Sequence, residues 1–195
     1  MSAVFSVLHV CTGNICRSPM SERILDGLTG EEVYNHGAGI SSYHEGDAMS
    51  ADSARELEDR GFEPAGHLAR HIDRAQVEGS DLILVATAVH REYIAERFPE
   101  AVDRTFLVRQ FGRIVEDLLK RRGDGAQPES AAVLPGGDAV ARGRALVALA
   151  DERRGDHPED DLSDPWGLSR AVYSQIADQL EDALQPVAEA LEGRA

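Results

Sequence analysis

The sequence has few cysteines, few aromatic residues and no long apolar run. Its two cysteines, Cys11 and Cys16, lie five positions apart in one segment, which excludes the disulfide framework of a small secreted protein. No apolar stretch approaches the roughly 18 residues that a transmembrane helix requires. The beginning of the chain also lacks the basic region, apolar core and cleavage site of a signal peptide. We therefore expect a soluble, cytoplasmic protein without a membrane partner.

Positive charge is scarce as well. Twenty Lys and Arg residues stand against 35 Asp and Glu residues, which gives a formal net charge of −15. A charge of this sign repels nucleic acids and anionic membrane surfaces, so neither is an expected partner. A phosphate site in such a chain must create its positive potential locally, from backbone amides and a few arginines.

What the sequence does contain is an alternation of short apolar runs with amphipathic segments. Valine-rich or buried runs predict strands at residues 3–10, 82–86 and 106–108. Helical spacing and end signals predict helices at 18–30, at 50–61, from near His67, and at 93–98, 111–119 and 168–191. This order predicts an α/β fold: a doubly wound parallel sheet of about four strands with helices on both faces, in a single domain over residues 1–195.

The composition changes between residues 121 and 161, where glycine, proline, alanine and charged residues dominate. One helix is predicted inside this segment, from about residue 139 to residue 153. Its Gly-Asp-Gly and Leu-Pro-Gly-Gly stretches predict mobile connections instead of a second core. We interpret residues 121–161 as an insertion into the domain.

The chemically informative segment lies between the first predicted strand and the first predicted helix, and reads Cys11-Thr12-Gly13-Asn14-Ile15-Cys16-Arg17-Ser18. A turn in this position aims successive backbone amides at one point, and the positive end of the helix dipole adds to their field. Arg17 adds a planar fork that suits bidentate phosphate binding. Because the same field stabilises a thiolate, Cys11 is predicted to be a nucleophile.

Other residues of this segment have predicted supporting roles. Gly13 and Asn14 tolerate the positive φ that a tight loop requires. The hydroxyl of Ser18 is predicted to cap the helix and to donate to the Cys11 sulfur, which would ease departure of the thiolate. Cys16 has two open interpretations: a thiol that captures an oxidised Cys11 as a disulfide, or a small buried residue under the loop.

The segment resembles the C-x-G-N-x-C-R-S-P signature of the low-molecular-weight protein tyrosine phosphatases. The resemblance extends to Asp164-Pro165-Trp166, which is similar to the Asp-Pro-aromatic turn that this family has before its last helix. It implies that Cys11 is the nucleophile, that Arg17 holds the phosphoryl group, and that Asp164 protonates the leaving oxygen and then activates water. It therefore implies hydrolysis of phosphotyrosine in proteins through a cysteinyl phosphate, without metal or cofactor.

The resemblance also implies roles outside the loop. Tyr43 and Trp166 are similar to aromatic walls that grip the substrate ring, and His67 to a histidine that supports the loop asparagine, here Asn14. Gly37 departs from the family, since many members have a serine there. His67 and His71 are spaced like zinc ligands on a helix, but no third ligand is evident nearby, so we predict no metal site.

Two other functions share parts of this sequence pattern. Arsenate reductases of the thioredoxin-coupled kind resemble this fold and loop, but they need a further redox cysteine pair, and this chain has no cysteine after Cys16. A non-catalytic phosphotyrosine-binding module would retain the loop and lose the nucleophile or the acid. Cys11, Arg17 and Asp164 are all present, so the sequence favours the enzyme.

Overall fold

The computed structural model describes residues 4–123 and 137–193. Its sheet contains β1 (Phe5–Cys11), β2 (Val33–Gly39), β3 (Leu82–Val85) and β4 (Thr105–Leu107). The strands are all parallel and lie in the order β2-β1-β3-β4. The predicted fold class, a parallel sheet of about four strands within an α/β domain, is confirmed.

The helices follow the strands in alternation, as the sequence pattern predicted. They are α1 (Arg17–Leu28), α2 (Ala51–Asp59), α3 (Arg74–Glu78), α4 (Ala88–Arg97), α5 (Val108–Gly123), α6 (Ala139–Glu152) and α7 (Arg170–Glu192). Within the described ranges, none of these helices is both long enough and apolar enough to cross a bilayer.

Apolar side chains cover both faces of the sheet, because successive residues of a strand point to opposite sides. Phe5 and Val7 of β1 join the larger core with α1, α5, α6 and α7, whereas Leu8 and Val10 join the smaller core with α3 and α4. β2 pairs with one edge of β1 and β3 pairs with the other, so the direction in which strands are added to the sheet reverses at β1. Parallel sheets bind their ligands at such a switch point, outside the carboxyl ends of the strands.

The structure differs from the sequence analysis at β2 and near His67. The sequence analysis missed β2, whose polar residues and glycines conceal its burial: Asn35 accepts a hydrogen bond from His9, and His36 contacts Ser6 and Ser80. The helix predicted near His67 is also absent. Residues 67–72 form no helix, and His71 makes a single parallel bridge to Gly39 at the end of β2. The next helix begins at Arg74, because Asp73 and Gln76 form a capping box there. His67 and His71 therefore do not share a helix face.

The described part of the predicted insertion packs against the main core. α6 buries Leu146 and Val147 there, and its Gly143 lies so close to Phe5 that an added Cβ would stand 2.4 Å from the ring. The predicted Gly-Asp-Gly and Leu-Pro-Gly-Gly connections fall largely on residues 124–136, outside the described residues. The interpretation of 121–161 as an insertion stays a prediction.

Candidate active site

The phosphate loop, which we define as residues 11–18, lies at the switch point of the sheet. β1 ends at Cys11 and α1 begins at Arg17, so the loop joins a buried strand directly to a helix N-terminus. Above it is a cavity of about 260 Å³. The residues that line the cavity are Cys11, Thr12, Gly13, Ile15, Cys16, Arg17, Ser41, Tyr43, His44, Asp164 and Trp166.

The sulfur of Cys11 is surrounded by hydrogen-bonding groups. The backbone amide of Asn14 donates to it at 3.3 Å, and the hydroxyl oxygen of Ser18 lies 3.0 Å away. Ser18 already accepts a hydrogen bond from the side-chain amide of Asn14 at 2.9 Å, so its own proton is free to point at the sulfur. Groups arranged in this way stabilise a thiolate.

The prediction that Ser18 caps α1 was wrong. Ser18 is the second residue of the helix, and the cap position belongs to Cys16, which makes no side-chain capping bond. The hydroxyl of Ser18 contacts Cys11 and Asn14 instead of a free backbone amide. The part of the prediction that placed this hydroxyl beside the Cys11 sulfur matches the geometry.

Asn14 holds the shape of the loop. Among the described residues, Asn14 is the only non-glycine residue with a positive φ, +54°, as predicted; Gly13, for which a positive φ was also predicted, does not have one. The carbonyl oxygen of Asn14 accepts a bond from His67 Nε2 at 2.7 Å, and its side-chain oxygen accepts one from the backbone amide of Arg70 at 3.0 Å. With the bond to Ser18, contacts from three directions fix a backbone conformation that is costly for most residues.

Glu22 lies behind this support, and the sequence analysis did not identify it. Its Oε2 is 3.8 Å from Nδ1 of His67, and burial raises the pKa of Glu22 to about 7. A Cβ atom at Gly37 would lie 2.6 Å from this carboxyl oxygen and 2.7 Å from Asn14 Nδ2. Glycine at position 37 therefore leaves the room that the side chains of Glu22 and Asn14 fill.

Arg17 joins the phosphate loop to the distant Asp164. Its buried guanidinium donates to the carbonyl of Leu162 at 3.0 Å and to Asp164 Oδ2 at 2.8 Å. Asp164 is 147 positions away in the sequence, and 53% of its side chain is exposed. The structure thus brings together the three residues that the sequence analysis predicted as nucleophile, phosphate-binding arginine and acid, since all three line one cavity.

Aromatic rings form the outer wall of the cavity. Tyr43 is 86% exposed and Trp166 58% exposed, and the ring of His44 lies between them, with centroid distances of 4.8 and 5.5 Å. Nδ1 of His44 is 2.9 Å from Asp47. The sequence analysis did not identify His44, although its position next to Tyr43 in the loop of residues 41–47 was a signal.

Cys16 is a buried residue of the phosphate loop itself. Its thiol contacts the hydroxyls of Ser50 at 3.5 Å and Tyr173 at 3.7 Å, and burial raises its pKa. Cys11 and Cys16 are both free thiols in this structure. These contacts agree with the interpretation of Cys16 as a small buried residue, and the protective disulfide stays an open interpretation. In the described ranges, no three His, Cys, Asp or Glu residues stand close enough to hold a metal ion.

The fold and the loop define a class: a parallel α/β protein that binds a tetrahedral oxyanion beside a cysteine at the end of its central strand. The family model described as low molecular weight phosphotyrosine protein phosphatase matches residues 6–133. The chain belongs to this family. The match includes the phosphate loop and the first part of the predicted insertion, whereas Asp164 and Trp166 lie beyond it.

Curated relatives are named either as arginine phosphatases or as tyrosine phosphatases. The chain is 37% identical over 109 residues to a protein-arginine-phosphatase from Geobacillus stearothermophilus. The aligned region covers 55% of this chain and 71% of that relative. It is 36% identical over 107 residues to low molecular weight protein-tyrosine-phosphatase Etp from Escherichia coli K12, and this aligned region covers 54% of this chain and 70% of that relative. A solved structure of the YwlE arginine phosphatase from Geobacillus stearothermophilus superposes with a TM-score of 0.69 at 26% identity, over 97% of this chain and 94% of that one.

Proposed function

We propose that this protein hydrolyses phosphotyrosine esters in proteins through a covalent cysteinyl phosphate. The observation that carries the proposal is the convergence of the Cys11 sulfur, the Arg17 guanidinium and the Asp164 carboxylate on one cavity, with Arg17 and Asp164 in direct contact at 2.8 Å. A nucleophile, an anion-binding fork and an acid are the groups that phosphoryl transfer to a side chain needs.

The first step transfers the phosphoryl group to the enzyme. Backbone amides of the phosphate loop and the Arg17 guanidinium hold the phosphate oxygens. The Cys11 thiolate attacks phosphorus, so a bond from sulfur to phosphorus forms as the bond from phosphorus to the phenolic oxygen breaks. The protonated carboxyl of Asp164 gives its proton to that oxygen, and tyrosine leaves as a neutral phenol.

The second step returns the enzyme to its starting state. The Asp164 carboxylate takes a proton from a water molecule as the water oxygen attacks phosphorus. The bond from phosphorus to sulfur breaks, and the electron pair returns to Cys11 as a thiolate. The Ser18 hydroxyl, 3.0 Å from that sulfur, stabilises the departing thiolate by donating a hydrogen bond. The products are inorganic phosphate and a reprotonated Asp164.

The lining of the cavity favours an aryl group over a phosphoarginine. Ile15, Tyr43 and Trp166 present apolar and aromatic surface, which an uncharged ring contacts without loss of hydrogen bonds. A guanidinium leaving group has several N–H donors, each of which needs an acceptor once it is buried. Asp164 is the carboxylate in the lining, and the acid role already uses it.

The remaining parts of the proposal come from the sequence. The reaction needs no metal or cofactor, because Cys11, Arg17 and Asp164 supply the nucleophile, the electrostatic stabilisation and the proton. The partner is a phosphotyrosine-containing protein, and the predicted location is the cytoplasm. Arsenate reduction is disfavoured because the whole chain has two cysteines, both inside the phosphate loop.

The test is a comparison of substrates with wild type and Cys11→Ser, in the presence of a metal chelator. We expect turnover of para-nitrophenyl phosphate and of a phosphotyrosine peptide, and a loss on the order of 10⁴-fold or more in Cys11→Ser. Phosphoserine and phosphoarginine peptides of the same sequence should react far more slowly. Faster turnover of the phosphoarginine peptide would overturn the substrate assignment, and turnover that survives in Cys11→Ser would overturn the mechanism.

A further inference from the structure

A buried histidine that has no part in the two steps above forms a hydrogen bond with the phosphate loop. His90 is in the first turn of α4 and is 3% exposed. Its Nε2 is 3.0 Å from the Thr12 hydroxyl, and its Nδ1 is 2.7 Å from the Thr87 hydroxyl. Both ring nitrogens therefore have a partner, and one of these partners belongs to the phosphate loop.

The contact with Thr12 leads on to Arg17. The guanidinium donates to the same Thr12 oxygen at 3.4 Å. If Thr12 in turn donates its proton to Nε2 of His90, then Nδ1 carries the ring proton and donates to the Thr87 hydroxyl, so Arg17, Thr12 and His90 each have an acceptor in this series of hydrogen bonds. This order requires a neutral imidazole. Burial, and secondarily the positive charge of Arg17, lower the pKa of His90 to about 4 against the opposing effects of Asp164 and Asp161.

The same turn of α4 also holds the segment that carries the acid. The backbone amide of Ala88 donates to Asp161 Oδ1 at 2.8 Å, and the Leu162 amide donates to the carbonyl of Ala86 at 2.8 Å. The carbonyl of Leu162 then accepts a bond from Arg17. Besides its ion pair with Asp164, the Arg17 guanidinium thus has two neutral acceptors: the carbonyl of Leu162, and the hydroxyl of Thr12 with His90 behind it.

We propose that His90 is a positioning residue for phosphoryl transfer, which fixes the Thr12 hydroxyl as an acceptor and so holds the Arg17 guanidinium in its orientation toward the phosphate. The proposal rests on the proposed function, because it takes Arg17 to be the residue that holds the transferring phosphoryl group. A displacement of about 1 Å in a reacting group can cost about 10²-fold in rate. The loss should appear in kcat more than in KM, because the fork matters most where charge is redistributed in the transition state.

The kinetic test uses His90→Phe, which retains a ring but no acceptor, and Thr12→Val, which retains the branched shape but no hydroxyl. Each should lower kcat for a phosphotyrosine peptide by about tenfold or more with KM within about threefold. The double variant should be no slower than the worse single variant, because both remove one interaction. His90→Gln places an amide oxygen near the position of Nε2 and should recover most of the loss.

A matched control separates positioning from general damage to the core. His36→Phe changes another buried histidine, which contacts Ser6 and Ser80 away from the cavity, and should leave kcat per folded molecule unchanged. A kcat of His90→Phe within twofold of wild type would overturn the proposal. Losses that multiply in the double variant, or a folded His90→Gln as slow as His90→Phe, would also overturn it.

A spectroscopic readout does not depend on turnover. Long-range ¹H–¹⁵N NMR at neutral pH should show His90 as a neutral imidazole with its proton on Nδ1, and Thr12→Val should shift the Nε2 resonance. A proton on Nε2, or an imidazolium, would contradict the hydrogen-bond order even if the wild type hydrolysed no phosphate ester. Failure of the proposed function would instead appear as absence of wild-type turnover with this signature intact.

Discussion

The phosphate loop and the segment that carries the acid are built in different ways. In the loop, Asn14, Arg17 and Ser18 are buried, and Asn14 is bonded from three directions. In the acid segment, which we define as residues 160–168, Asp164 and Trp166 are more than half exposed. The proposed nucleophile, Cys11, therefore lies in a loop fixed by the core of the protein, whereas the proposed acid, Asp164, reaches the site on a surface segment that Arg17 connects to the loop. Changes in the loop should affect stability as well as activity, and changes in the acid segment mainly activity.

Apart from the loss of the Cys11 sulfur, the largest effect is expected at Arg17, where the two regions meet. Arg17→Lys retains the charge, but an ammonium cannot donate at once to Leu162, Asp164 and a phosphate with the geometry of a planar fork. We expect kcat to fall on the order of 10²- to 10³-fold. Steady-state kinetics with para-nitrophenyl phosphate measures the loss, and a decrease below about fivefold would show that charge alone is sufficient.

Asp164→Asn tests the acid segment by itself. We expect the rate with phenyl phosphate, a poor leaving group, to fall on the order of 10²- to 10³-fold, and the rate with a dinitrophenyl phosphate to fall much less. The melting temperature should change little, because the side chain is half exposed.

Asp160→Asn is the matched control for this change. Asp160 lies in the same segment but pairs with Arg113, so its neutral variant should retain the wild-type rate with both esters. An equal loss for good and poor leaving groups in Asp164→Asn would contradict the assignment of Asp164 as the acid.

Glu22 provides a pH test of the support behind the loop. Burial raises the pKa of Glu22 from 4.5 to about 7, so the folded state favours the protonated carboxyl. Proton binding at Glu22 therefore contributes fully to stability below pH 4.5, and this contribution is lost as the pH rises through 7. Relative to Glu22→Gln, the free energy of unfolding of wild type should therefore fall by about 2 to 3 kcal/mol between pH 5 and pH 8. Urea unfolding across this range measures the difference. The control Glu92→Gln changes an exposed carboxyl, so its free energy of unfolding should depend on pH in the same way as that of wild type. If Glu22→Gln also showed the pH dependence of wild type, the burial of the Glu22 carboxyl would be contradicted.

The smallest effect separates the backbone conformation of Asn14 from its hydrogen bonds. Asn14→Ala and Asn14→Gly both lose the side-chain bonds to Ser18 and Arg70, but only alanine retains the cost of a positive φ. Asn14→Ala should therefore be less stable than Asn14→Gly by about 1 kcal/mol in urea unfolding. Equal stability of the two variants would show that the loop relaxes once the side chain is removed.

The sequence predicted the parts of the fold that rest on strong local patterns. The apolar runs around β1 and β3 and the amphipathic spacing of α5 and α7 are such patterns, and those elements lie where they were predicted. β2 was missed because its burial depends on side-chain partners from other elements, as the contacts of Asn35 and His36 show. The predicted helix near His67 failed because the capping signal of Asp73 lies six residues further on.

The candidate site divides in the same way. Cys11, Arg17 and Asp164 were predictable because adjacent residues form motifs, and the structure brings all three to one cavity. Glu22 and His90 contact side chains that are distant in sequence, His67 for Glu22 and Thr12 for His90. No local pattern identifies a residue whose role depends on packing between separate elements.

The most direct test of the account is to trap the phosphoenzyme. Asp164→Asn should slow hydrolysis of the cysteinyl phosphate, so rapid acid quenching during turnover of a dinitrophenyl phosphate should leave one phosphoryl group on the protein. Peptide mass spectrometry and ³¹P NMR should place it on the sulfur of Cys11. Turnover without a trapped phosphoryl group, or a phosphoryl group on any other residue, would contradict the account.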